Sequence, residues 1–295
     1  MSVFRWTALV AGAVLLFVGG AGRGSAQPPV LPYDPPRQFG ASITGAFEGW
    51  FDNKDGSHNF LVGYFNRNLK QAVDVPIGPN NRIEPGGPDL GQPTHFLPAR
   101  RTGVFIVKVP ASFAADQKLT WTLTVNGQTT QIPLRLHRDY NVYPFGDVAI
   151  GNQPPVLRTA ENGPTVQGPV ALLGDAPKLT ATAGTPLPIT VWVDDDGKYA
   201  SATMAPVTDG RSPVDLHFNK YRGPGAVKFD TSSPKLEVAK GGTINEPFSA
   251  KGTVSATFST PGEYAVYVLA TDYSGEGGNG EVCCWTNAYL KVTVK

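Results

Sequence analysis

The chain has 295 residues, with 25 Lys and Arg against 24 Asp and Glu, 34 glycines, 27 prolines and two cysteines. Near-neutral charge with no long block of either sign argues against steering toward nucleic acid or an anionic bilayer. The glycines and prolines fall between short alternating apolar runs, so they read as turn punctuation, and the composition is that of an all-β protein.

The N-terminal stretch carries Arg5, an apolar run from about Thr7 to Val18, and small residues Gly24 and Ala26 before Gln27. This is the pattern of a secretory signal peptide over residues 1–26, cleaved after Ala26. The run is short of the ~20 residues that cross a bilayer, and no second long apolar stretch follows, so the mature chain is expected to lack a membrane span and to be secreted or periplasmic. About 270 residues then remain, comfortable for two domains of ordinary size.

Residues 27–39 are proline-dense and read as an extended arm. An N-terminal β-sandwich is expected over 40–146. "ITGAFEGWF" and "HNFLVGYFNRN" flank "DNKDGS", whose Asp-Gly pair suits a hairpin loop. "TGVFIVKVP" alternates with period two. "KLTWTLTVNGQTTQIPLRL" predicts a hairpin turned by Asn126-Gly127, with Leu119, Trp121, Leu123 and Val125 facing inward. No amphipathic helix of useful length is visible.

Residues 147–155, with adjacent prolines at 154 and 155, read as a linker. A second sandwich is expected over 156–295. Ile189, Val191 and Val193 alternate with Thr190 and Trp192; "PVDLHFNKYRGPGAVKFD" reads as a hairpin turned at Gly223, Pro224 and Gly225; two long alternating runs close the chain. Many short strands between turn signals predict tandem immunoglobulin-like Greek-key sandwiches.

"NQPPV", "ITVWVDDDG" and "FSTPGEYAVYVLATDYSG" resemble the PKD-like and cadherin-like branch of immunoglobulin-type domains, over about half the mature chain. "GYFNRN", "IGPNNRIEPGGPD", "KYRGPGAVKF" and the terminal "CCWTNAYLKVTV" resemble an uncharacterised group of exported bacterial proteins, which implies export and tandem β domains but no activity. Residues 198–252 exceed what a compact PKD-like domain needs and leave the strand order there open. The PKD resemblance implies a calcium site made of Asn152, Asp194, Asp196 and Asp272. Calcium takes hard oxygen ligands, and Asp residues at neighbouring strand ends can converge on it; "DDDG" also reads as a plain acidic turn.

Cys283 and Cys284 are adjacent. Export favours pairing, yet adjacent α-carbons sit closer than in ordinary disulfides. Three arrangements are open, taken in this order: a vicinal disulfide, two free thiols with one buried, and bridges between chains. Alternation points Cys284, Ala288, Leu290, Val292 and Val294 inward and leaves Trp285, Tyr289, Tyr267 and Leu269 on an outer face, joined by Trp192 if the strands pair as in an immunoglobulin-type sheet. Such an aromatic surface suits docking of a protein, a glycan or the first domain, or becomes ordinary core if the long insertion folds over it. Coverage from within the chain is the expectation.

Enzyme motifs are missing from the sequence. The four histidines, His58, His95, His137 and His217, stand in no metal-binding spacing, and no nucleophile elbow or phosphate loop occurs. Asp139 and Glu84 are the acids weighed for an acid pair, and isolated loop charges are usually just solvated. The reading is an exported, non-catalytic binding or surface-associated structural protein, its partner an unidentified surface glycan or protein. The alternative is a secreted hydrolase or redox accessory with a site between the domains.

Overall fold

The computed structural model describes residues 34–147, 151–198, 212–242, 246–272 and 283–295. The expected signal peptide, residues 27–33 of the arm and part of the 198–252 insertion lie outside them. The described chain is all-β. Two single-turn 3-10 helices, Arg138–Tyr140 and Leu173–Asp175, interrupt the strands, and among the described residues no helix is long and apolar enough to cross a membrane.

Among the described residues, eight strands come before residue 147: β1 (Ile43–Asp52), β2 (His58–Asn66), β3 (Val73–Asp74), β4 (Asn81–Glu84), β5 (His95–Phe96), β6 (Ala99–Val109), β7 (Leu119–Val125) and β8 (Gln128–Leu134). They make sheets ordered β1-β2-β6 and β4-β7-β8, with β3 paired to β5. The β1–β2 pair is antiparallel across the Asp-Gly loop. The β7–β8 pair turns at Asn126 and Gly127, whose φ angles of 50° and 77° are the positive values that this turn requires. Leu119, Trp121, Leu123 and Val125 of β7 are all buried, as their alternation requires.

In β6 the alternation is overridden, because Val104, Phe105, Ile106 and Val107 are all buried. Only a strand covered on both faces does this. One cover is the core of the first half. The other is a sheet from the second half.

Ten more strands follow among the described residues: β9 (Val156–Arg158), β10 (Val166–Gln167), β11 (Lys178–Ala181), β12 (Leu187–Asp195), β13 (Val214–Arg222), β14 (Val227–Phe229), β15 (Glu237–Lys240), β16 (Phe248–Phe258), β17 (Gly262–Asp272) and β18 (Trp285–Val294). One sheet runs β10-β9-β12-β16-β14, with β15 also on β16; the other runs β11-β18-β17-β13, with β11 parallel to β18. Their facing sides share a core of Val191, Val193, Val254, Phe218, Val266 and Leu290, among others. Full burial of each such side chain is worth about 1.5–3 kcal/mol.

The hairpin expected over residues 213–230 does not form. β13 pairs with β17 in one sheet while β14 pairs with β16 in the other, so the Gly223-Pro224-Gly225 segment carries the chain from sheet to sheet. Gly223, at φ 138°, could not hold a side chain there, since a Cβ would stand 2.1 Å from the Tyr264 ring. The residues around the turn resemble a hairpin; what separates the strands is the cross-chain apolar pairing of β13 with the longer β17.

Asp34–Lys295 is one compact unit. The core of the first half does not stop at residue 147, for it takes in Tyr221, Ala265, Tyr267, Leu269, Trp285 and Tyr289.

Candidate functional site: an acidic apex and an aromatic seam

Tyr267 and Leu269 on β17 and Trp285 and Tyr289 on β18 share one face, and all four are at most 7% exposed. The first half covers most of this face, and Tyr221, within the insertion, packs its ring on Tyr267 and Tyr289 with centroids 5.9 and 4.9 Å apart. Trp285 Nε1 and Asn287 Nδ2 donate to the Gly103 carbonyl at 3.4 and 2.5 Å, and Tyr289 Oη donates to the Val104 carbonyl at 2.7 Å. Tyr267 Oη in turn donates to Asn287 Oδ1 at 2.7 Å. Gly103 permits this approach: its φ is 51°, and a Cβ there would lie 2.2 Å from Trp285 Cζ2.

Beside the aromatic rings the seam is polar. Arg222 grips Asp89 with both terminal nitrogens at 2.8 Å and donates through Nε to the Gln92 carbonyl at 2.9 Å. The guanidinium, with help from the Gly91 amide, holds the Asp89 carboxyl below the usual range although burial opposes it. Tyr221 Oη donates to the Gly91 carbonyl at 2.6 Å. Burial pushes the Tyr221 and Tyr289 phenols well up, so both stay neutral donors.

Trp192 stands apart from this face. β12 pairs with β9 and β16, not with β17 or β18, so Trp192 lies in the other sheet, half-buried opposite Arg158 and Lys251.

At one end of the second half, the β12 and β17 termini meet the start of β18. Cys283 and Cys284 form a vicinal disulfide, their α-carbons 3.0 Å apart across a cis peptide. Both are buried, and their Sγ atoms lie 4.0 and 3.6 Å from the Asn152 carbonyl. Asn152 Nδ2 donates to Asp272 Oδ2 at 2.7 Å, tying the 147–155 segment onto β17. Asp196 accepts from the Gln153 and Lys198 amides at 3.2 and 2.9 Å.

Asp194 is turned to the other side of its strand. It accepts from Arg158 at 2.7 Å and from Ser249 Oγ at 2.5 Å, so it does not join Asn152 and Asp272. Its neighbour Asp195, 7% exposed, takes the position facing them. Burial, reinforced by the charges of Asp272 and Asp196, pushes the Asp195 carboxyl up to about 8, against the pull of the Gly197 amide that donates to it. Asp195 Oδ1 and Asn152 Oδ1 are buried oxygens with no hydrogen-bond partner among the described residues. Sequence parity carried a signal for this: Ile189, Val191, Val193 and Asp195 fall on one line of β12, so the middle acid of "DDDG" is the one turned inward. Among the described residues, no three His, Cys, Asp or Glu side chains are arranged to hold a metal ion.

Two of the histidines serve local pairs. His58 Nδ1 lies 2.6 Å from Asp52, and His95 Nδ1 lies 2.8 Å from Asp74, which also accepts from Lys220 at 3.0 Å. Asp139 and Glu84 are exposed, the latter beside Arg82.

No family model matches the chain, and no curated protein does. Among solved structures it is similar to domains 4 and 5 of the S-layer protein SbsC, at 12% identity over 65% of this chain and 70% of that one, with a TM-score of 0.23. It is also similar to a protein of unknown function from Porphyromonas gingivalis W83, at 10% identity over 85% and 99% of the two chains, with a TM-score of 0.22. Likenesses at these scores bear on neither fold nor function.

Proposed function

We propose that this chain is an exported, non-catalytic binding or surface-associated structural protein, built from two immunoglobulin-like β-sandwich modules behind a cleaved signal peptide, with a surface glycan or protein as partner. One observation carries the reading: the second module's aromatic sheet face is consumed by a hydrogen-bonded seam with the first, which makes a rigid two-module body. The disulfide supports it as well, because both sulfurs belong to buried residues packed on Asn152 rather than to an open dithiol. Glycan-array and envelope pull-down screening of the mature chain tests the proposal, with retention on one class of surface polymer or protein expected. Turnover of a substrate that is abolished by one side-chain replacement would overturn it in favour of the secreted hydrolase or redox accessory.

Calcium at the acidic end is a second reading, favoured by the two orphaned oxygens of Asn152 and Asp195. In it Asn152, Asp195 and Asp272 supply oxygens, Asp196 stands at the rim, and Asp194 has no part. The cation would compensate carboxylates that otherwise repel one another in a buried place. Calcium should raise the melting temperature of the wild type by mass action and leave Asp195→Ala unmoved. A wild-type melting temperature that ignores millimolar calcium removes the ion from the account.

A further inference from the structure

The seam is not closed along its whole length. A cavity of about 250 Å³ opens between the halves, walled by β5 and β6 on one side and by β13 and β17 on the other. We infer that it binds a single neutral, hydroxyl-bearing ring, the size and chemistry of one sugar residue. The inference rests on the reading of the chain as a binding protein and names the chemistry of its ligand.

The walls are of two kinds. Tyr221 and Tyr267 lie near-parallel, with ring centroids 5.9 Å apart and planes inclined by 25°. Their hydroxyls are already committed, to the Gly91 carbonyl and to Asn287, so toward the cavity they offer ring surface rather than polar tips. Such surface suits the C–H face of a sugar, and it is held rigid by the seam behind it.

The remaining wall is polar and underused. His217, Asn219 and Thr102 are half-buried and line the cavity, yet their side chains make no hydrogen bond among the described residues. An imidazole, a carboxamide and a hydroxyl offer donors and acceptors together, the mixed demand that a ring of hydroxyls makes. These groups are free of protein partners among the described residues, so a ligand hydroxyl can take the place of the water that reaches them.

Charge narrows the class further. No Asp or Glu is among the described lining residues, which speaks against a cation. Lys220, a cationic side chain of the wall, is engaged with Asp74 and so offers a small anion little spare charge. The volume lies below the roughly 300–1,000 Å³ of sites for drug-sized ligands, and so admits one ring rather than a chain of them.

Methyl glycosides of the common neutral hexoses and pentoses, titrated against the mature chain and followed by saturation-transfer NMR and calorimetry, test this. At least one should bind saturably in the millimolar range, with saturation strongest on one ring face. His217→Ala and Asn219→Ala, each checked for an unchanged unfolding midpoint, should each weaken it at least about tenfold, and Thr102→Val measurably. Absence of saturable binding by every neutral glycoside overturns the inference, as does binding confined to uronic acids or inorganic phosphate. Retention on a polysaccharide that survives His217→Ala/Asn219→Ala would also overturn it, while leaving the wider binding reading intact on another surface.

Discussion

The seam and the acidic end belong to the same strands, β17 and β18, and they are built on opposite principles. Where the seam is closed, the polar groups that go under cover take partners with them: Trp285, Asn287 and Tyr289 reach backbone carbonyls of β6, and Arg222 reaches Asp89 and Gln92. At the acidic end burial runs ahead of satisfaction, leaving oxygens of Asn152 and Asp195 without a partner among the described residues and one carboxyl pushed up to about 8. Satisfied burial is how a protein joins two modules permanently. Unsatisfied burial is where stability depends on pH or on a ligand.

That contrast breaks most violently at Gly103. Gly103→Val adds both a clash with Trp285 and an unfavourable φ, and should cost about 4 kcal/mol in urea unfolding. Gly184→Ala, at φ 75° with open space around it, isolates the backbone effect and should cost only about 1 kcal/mol. Equal losses at the two sites would mean that the seam does not press on β6.

Asp195→Asn should act in the opposite direction. Its folded value of about 8 lies above the ordinary carboxylate value of 3.8, so the folded state holds the proton longer. The group's contribution is therefore fully present below 3.8 and is lost as pH rises through about 8. Asparagine keeps the acceptor for the Gly197 amide without the charge. Melting curves should show the variant more stable than wild type at pH 9, by about 3 kcal/mol, with the gain fading toward pH 4. A gain that does not change with pH would contradict the burial of an ionisable group there.

Smaller effects refine the seam. Tyr289→Phe removes the shorter of two bonds to the Val104 carbonyl, leaving the 3.3 Å one from Asn287 Nδ2, and should cost about 1 kcal/mol. Arg222→Met should cost about 1 kcal/mol, since Asp89 is half-exposed and solvent screens the pair. A double-mutant cycle between the two residues should show little coupling if they hold separate parts of the seam.

Much of the strand content was legible because the signals were local. Asn126-Gly127 names its own turn, and the alternation of Tyr264, Val266, Val268 and Ala270 with Tyr267 and Leu269 separates the faces of β17 without reference to any partner. Partners were not legible. Nothing local to β6 says that both of its faces are covered, and nothing local to Gly223-Pro224-Gly225 says whether it closes a hairpin or passes the chain to another sheet. Trp192 has the residue type of the aromatic face but a strand in the other sheet.

The acidic end divides along the same line. The PKD resemblance implied the first and third acids of "DDDG", whereas the pleat of β12 turns the second one inward; counting parity from Val193 would have chosen it. Asn152 and Asp272, 120 positions apart, come within hydrogen-bonding distance only through the fold. So does the seam cavity, whose histidine and asparagine on β13 carry no motif.

Differential scanning calorimetry of the chain without residues 1–26 most directly tests whether the seam makes one body of the two halves. The account predicts a single transition with equal calorimetric and van't Hoff enthalpies, moved to lower temperature as a whole by Gly103→Val. Two resolved transitions in the wild type, with Gly103→Val shifting only the one that belongs to the first half, would contradict it.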